Sequence, residues 1–76
     1  MIIGNVAKLM NRLAKGQAIV IEIEDVRDSA RAYMDSGFDY VRKDYIDNVI
    51  REVNSDEYPE FSLRERPDGR FTLDRR

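Results

Sequence analysis

The stretch from Phe38 to Asn54, FDYVRKDYIDNVIREVN, decides how the rest of the chain is read. Val41, Tyr45, Val49 and Val53 recur every four residues, and Ile46 and Ile50 widen the stripe to the breadth of a core-facing helix. The other side carries Asp39, Lys43, Asp47 and Arg51. They alternate in sign at the same spacing, and such pairs support an exposed helix face by roughly 0.2–0.5 kcal/mol each. The pattern predicts a helix over 38–54 with one side buried and the other wet. Neither side projects a group suited to catalysis.

Upstream, Ser36-Gly37 predicts the end of a preceding helix over 26–36. Gly37 would take the left-handed position and Phe38 would pack back on Tyr33. The alternative is one helix running from 26 to 54 through Gly37, since an interior glycine costs only ~1 kcal/mol. Asp25 is the expected N-cap, Asp28 lies in the first turn, and Val26, Ala30, Tyr33 and Met34 supply the inner face. Before it, Ala18 to Glu24 (AIVIEIE) alternates. Ile19, Ile21 and Ile23 point one way and Val20, Glu22 and Glu24 the other, which predicts a strand in a sheet covered on one side. The two glutamates read as a solvated sheet face rather than a paired-carboxylate site. Residues 5–15 read as a first helix, with Ile3, Val6, Leu9, Met10 and Leu13 on its apolar face. Asn5 is its expected cap and Gly16 its left-handed terminator. Met10 on that stripe reads as core packing, not as a soft metal ligand.

Downstream, Asn54 to Pro59 is a polar connection. Glu60 to Arg66 and Arg70 to Asp74 then predict a hairpin around Pro67-Asp68-Gly69, a type I turn closed by a glycine bulge. With Arg66 and Arg70 as the closing pair, Leu63 lies opposite Leu73, and Phe61 and Phe71 share that inner face. Ser62, Arg64 and Arg66 face outward beside Arg70, Thr72 and Asp74. A lone hairpin is barely stable in water. The expected fold class is therefore α+β, a single small domain over 1–76 in the order α-β-α-α-β-β. The strand at 18–24 joins the hairpin in a three-stranded antiparallel sheet with the helices on one face.

The 76 residues include no cysteine and no histidine. Disulfides and the usual Cys/His zinc sites are excluded within this chain, and a reducing, cytoplasmic setting is expected. MIIGNVAKLMNRL has neither the leader charge nor the unbroken apolar core of a signal peptide. Catalysis would need a carboxylate, lysine or tyrosine as base and a serine or threonine as nucleophile. Ser29, Ser36, Ser55 and Ser62 all have structural readings in a helix turn, a cap, a loop and a strand face. Asp35-Ser36-Gly37-Phe38-Asp39 shares two oxygen ligands around a glycine with a calcium loop, but lacks the third acid and the distant glutamate. No enzyme activity, cofactor or metal is expected.

Net charge is −2, and it is segregated. Residues 1–21 hold three bases and no acid, residues 22–60 hold twelve acids against five bases, and residues 61–76 hold five arginines against three acids. Two functional classes follow. The element order resembles the winged-helix fold, in which a helix and strand precede a helix-turn-helix and a hairpin wing follows. That resemblance implies DNA binding, with Phe38–Asn54 as recognition helix, presenting Arg42, Lys43, Asn48 and Arg51, and with Arg64, Arg66 and Arg70 on the wing. The charge of the helix opposes it, because Asp39, Asp44, Asp47 and Glu52 outnumber Arg42, Lys43 and Arg51. Phosphate contacts dominate nucleic-acid affinity and demand the reverse balance.

The preferred class is a non-enzymatic protein-binding module, an inhibitor or adaptor meeting a larger protein or nucleoprotein through its acidic middle. Its expected contact residues are Asp39, Tyr40, Asp44, Asp47 and Tyr58, since tyrosine offers a large contact area with a polar tip. Tyr33 and Tyr45 are assigned to the core. In size and charge the chain is similar to phage-encoded inhibitors of host machinery, anti-CRISPR proteins among them. A homodimer is also expected, because so small a core leaves apolar surface to cover.

Overall fold

Pro67-Asp68-Gly69 turns the chain back on itself as its composition predicts. The Arg66 N–H donates to the Arg70 carbonyl at 2.7 Å, the Gly69 N–H donates to the Arg66 carbonyl at 3.1 Å, and Gly69 has φ +85°. In a computed structural model that describes residues 1–33 and 43–76, this turn joins β2 (Phe61–Glu65) to β3 (Phe71–Arg75). Leu63 lies opposite Leu73. Before the hairpin come α1 (Asn5–Arg12), β1 (Ala18–Ile21), α2 (Ile23–Ala30), a 3₁₀ turn at Arg31–Tyr33, and α3 (Lys43–Val53). The helix break at Ser36-Gly37, the Phe38–Tyr33 contact, the calcium-loop-like segment, and Asp39, Tyr40 and Arg42 lie outside the described residues.

β3 is the central strand of an antiparallel sheet ordered β1-β3-β2. Ile21, Leu63, Phe71 and Leu73 are buried together with Val6, Met10 and Leu13 of the N-terminal segment, Val26 and Ala30 of α2, and Ile46, Val49 and Val53 of α3. Phe61, Ile19, Tyr33, Tyr45 and Ile50 pack half-buried at the margin of this core. The other sheet face carries exposed Val20 and Arg64. The period-four stripe of α3 and the period-two alternation of the hairpin thus meet in one core, the arrangement expected for a sheet covered on one side.

Three expectations change. First, β1 ends at Ile21, and Ile23 is the first residue of α2, not an inward strand residue. Glu22, extended at φ −85° and ψ 156°, is the N-cap in place of Asp25. Asp25 sits in the first turn and its carboxylate accepts the Glu22 N–H at 3.2 Å. Acids crowded at a helix start are favoured by its dipole, so Glu22, Glu24 and Asp25 are better placed there than along a strand. Second, α1 stops at Arg12, where Leu13 turns extended and drives its side chain into the core. Gly16 (φ +80°) is left-handed, but in the following turn. Third, the cap of α1 is Gly4 (φ +79°), not Asn5, and the bend there takes Ile3 out of helical phase. Ile3 is exposed and Ile2 is buried in its stead.

The free side of β2 is closed by one residue. The Asn54 carboxamide accepts the Leu63 N–H at 3.0 Å and donates to the Leu63 carbonyl at 2.9 Å, and its NH₂ also reaches the Ile50 carbonyl at 2.7 Å. A side chain at the end of α3 thereby plays the part of a further strand. Asn54→Ala leaves both Leu63 backbone groups to water and is expected to cost about 1–3 kcal/mol. Urea unfolding should show a lower midpoint at unchanged slope. A loss below about 0.5 kcal/mol would mean that water serves Leu63 equally well.

Candidate interaction surface

The wet side of α3 begins with Lys43 and Asp44, both exposed, followed by half-buried Asp47 and exposed Arg51. Lys43 and Asp47, one turn apart, form an ion pair at 3.3 Å, and Arg51 donates to the Asn48 carboxamide oxygen at 3.2 Å. Asp44 lies in the first turn, where the dipole favours a carboxylate. Among the described residues, α3 carries Asp44, Asp47 and Glu52 against Lys43 and Arg51.

The acids of α2 are engaged within the fold. Glu24 pairs with Arg27 at 2.7 Å, Asp28 accepts the Asn5 N–H at 2.8 Å, and Asp25 accepts from the Asn5 side chain at 3.3 Å. Asp44 and Asp47, three residues apart, share one face of α3, while Asp25 and Asp28 hold the α1–α2 junction together.

Tyr58 stands elsewhere. Its hydroxyl accepts the Ile2 N–H at 2.7 Å, and its ring lines a shallow cleft of about 140 Å³ with Ile2, Ala7, Met10, Asn11 and Phe61. It is half-buried rather than exposed, and it follows the far end of α3. Asp44 and Val53 are nine residues apart, about 14 Å along a helix axis, so Tyr58 does not join the Asp44–Asp47 face. The cleft is also well below the ~300–1,000 Å³ of small-molecule sites.

The cations assigned to a wing are each met by an acid. Arg64 lies 3.6 Å from Asp74, Arg66 3.3 Å from Asp68, and Arg70 3.8 Å from Asp68 and 3.9 Å from Glu22. The Arg70 backbone N–H, donating at 3.0 Å, and the Arg66 and Arg70 guanidinium groups hold the Asp68 carboxyl below its usual range. Exposed pairs of this kind contribute only about 0–1 kcal/mol. Their consequence is electrostatic: carboxylates interrupt the hairpin's arginines, so it does not present a bare cationic stripe.

Arg75 was not singled out by motif, yet it ties three segments together. Its Nε and Nη2 donate to Glu60 Oε2 at 3.2 and 3.1 Å, its Nη1 donates to the Leu13 carbonyl at 2.7 Å, and its guanidinium sits 5.5 Å from the Phe61 ring centre. A signal was present. Arg75 is in phase with Phe71 and Leu73, so its stem belongs to the inner face, while Arg76 is out of phase and exposed.

Among the described residues, no group of three histidine, cysteine, aspartate or glutamate side chains is placed to hold a metal ion. No helix there is long and apolar enough to cross a membrane. These features define a small compact α+β domain with an α-β-α-α-β-β order and a three-stranded antiparallel sheet. Compared with known proteins, the chain matches no family model, no curated protein and no solved structure.

Proposed function

We propose that this chain is a small protein-binding module without chemistry of its own, an inhibitor or adaptor that offers the start of α3 to a basic surface on a larger protein or nucleoprotein. The observation that carries this reading is the charge of α3 itself. Among the described residues Asp44 and Asp47 share one face of a helix with three acids and two bases, Asp47 being paired with Lys43 and Glu52 with the N-terminal ammonium. A partner surface that ordinarily holds nucleic acid has the positive charge such a face requires. An inhibitor of host machinery encoded by a phage, of the anti-CRISPR kind, is the concrete form of this reading. Asp39 and Tyr40, just before α3 in the chain, extend the proposed contact.

The test is a charge reversal. Asp39, Asp44 and Asp47 changed together to lysine should slow association with a partner recovered from host extract at least tenfold at low salt. The effect should shrink as salt rises, because rim charges act chiefly on encounter. The same protein is then titrated with mixed duplex DNA. A winged-helix DNA binder resting on Arg42, Lys43, Arg64, Arg66 and Arg70 would gain affinity from the reversal and lose it steeply with salt, by about −0.9 in log–log slope per phosphate contact. Tight, sequence-dependent DNA binding by the unaltered chain would overturn the protein-binding reading. No shift of DNA at micromolar protein is the expected result.

A further inference from the structure

The two edges of the sheet are finished differently. On β2, Asn54 takes both outward groups of Leu63, and the Phe61 N–H donates to the Tyr58 carbonyl at 3.0 Å. Charged Arg64 and Glu65 occupy the exposed end of that strand. On β1 nothing comparable is found among the described residues. Arg75 bonds the segment just before the strand, with the Gly16 N–H donating to its carbonyl at 2.7 Å and its own N–H donating to the Gln17 carbonyl at 2.9 Å. This is one step beyond the Ala18–Asp74 partners. Hydrogen-bonded and non-hydrogen-bonded pairs alternate along an antiparallel ladder. Ile19 and Ile21 therefore turn their backbone groups to β3, and Ala18 and Val20 turn theirs outward.

Among the described residues, no group bonds to those outward N–H and C=O groups. The edge is also accessible. Gln17, Ala18, Val20 and Glu22 are all exposed, and Val20, at 46% exposure, is one of the few large apolar side chains left in solvent among the described residues. Neither proline nor a charged side chain interrupts Ala18–Ile21. Folded proteins commonly blunt such edges with those devices. Among the described residues, the β2 edge has such partners and the β1 edge has none.

We propose that the β1 edge is a pairing site for a second copy of the chain, β1 against β1, antiparallel about a two-fold axis at Ile19. In that register Ala18 of one copy lies opposite Val20 of the other, and the reverse. Each outward N–H then meets an outward carbonyl, and the exposed Val20 side chains are covered on the solvent face of a continuous six-stranded sheet. Charge selects the same occupant. The strand runs from Lys15 before it to Glu22 after it, so turning a second copy antiparallel brings the basic start of each strand toward the acidic end of the other. A strand ordered in this way is its own electrostatic complement, and a two-fold contact is self-complementary by construction. The surface is separate from the Asp44–Asp47 face and stands whether or not that face binds a partner.

Light scattering across a rising concentration series should show the mass climbing from the 8.9 kDa chain toward twice that value. Amide exchange on the unaltered protein supplies the residue-level test. Ile19 and Ile21 should be protected at every concentration, and Ala18 and Val20 only as the dimer forms. Ala18→Pro removes an outward N–H that makes no bond within the chain, a position where an edge strand tolerates proline. Val20→Lys sets like charges on both sides of the axis. Each should raise the concentration for half-dimerisation at least tenfold while the circular dichroism stays unchanged. A mass of one chain at the highest concentration would overturn the proposal. So would exchange at Ala18 and Val20 that ignores concentration, or a dimer indifferent to Val20→Lys. Should Ala18→Pro unfold, the exchange measurement still decides. Protection of Ala18 and Val20 only in complex with a different protein would assign the edge to that protein and likewise defeat the proposal.

Discussion

Leu63→Ala is expected to destabilise the domain by about 2–5 kcal/mol. Leu63 is fully buried opposite Leu73, also fully buried, and α3 packs over β2 with Val49 and Val53 buried in the same core. Truncation removes apolar contact and leaves a cavity where sheet and helix meet. The two hydrogen bonds from Asn54 reach the Leu63 backbone and survive the change, so the loss reports on packing alone. At ~0.05–0.15 kcal/mol per residue, a chain of 76 residues has a total stability of roughly 4–11 kcal/mol. The loss therefore removes a large share of that total, and at the lower end of the stability range it leaves the variant partly unfolded without denaturant. Urea unfolding followed by circular dichroism measures the loss, and a value below about 1 kcal/mol would show that Leu63 is not held in a packed core.

Gly4→Ala should cost about 2–4 kcal/mol, although it adds a single methyl group. Gly4 has φ +79°, and a Cβ there would lie 2.6 Å from Asp28 Oδ2, 3.2 Å from the Ser29 Cα and 3.2 Å from its hydroxyl. These are the groups that cap α1. Asp28 accepts the Asn5 N–H, and the Ser29 hydroxyl, in a residue 1% exposed, accepts the Val6 N–H at 2.9 Å. The methyl group therefore strains the backbone and pushes aside the acceptors for two helix donors that have no intrahelical partner. Gly16→Ala is the control. It has nearly the same φ of +80° with nothing within 4 Å, so only the backbone term of roughly 1–2 kcal/mol applies. Ser29→Ala isolates the other contribution, a buried N–H left without an acceptor, at about 1–3 kcal/mol. Equal losses for Gly4→Ala and Gly16→Ala in thermal or urea unfolding would mean that α1 and α2 do not approach as closely as this.

Much of the architecture was legible along the chain. The spacing of Tyr45, Ile46, Val49 and Val53 set the buried stripe of α3, and Pro67-Asp68-Gly69 set the hairpin register that brings Leu63 to Leu73. The start of α2 was not, for a physical reason. Ile19, Ile21 and Ile23 satisfy the two-residue period of a strand, but Ile23 also fits the first position of a helix. Glu22 and Asp25 can each cap, and local sequence does not choose between them. The candidate surface divides in the same way. Asp44 and Asp47 were legible as the wet side of one helix, because residues three and four apart share a face in any α-helix. That Tyr58 would turn toward Ile2, or that Arg64, Arg66 and Arg70 would each find a carboxylate, depends on loop paths and cross-strand neighbours.

What the sequence by itself determined is the set of elements, their order and the buried sides of α3 and of the hairpin, since these follow from repeats among near neighbours and from turn residues that restrict φ. Only the tertiary structure decided that helix α1 is capped by Asp28 and Ser29, that Asn54 takes the outward groups of Leu63, and that no described residue bonds to the outward groups of β1. The groups in those contacts meet through the packing of separate elements, a relation that no local period encodes.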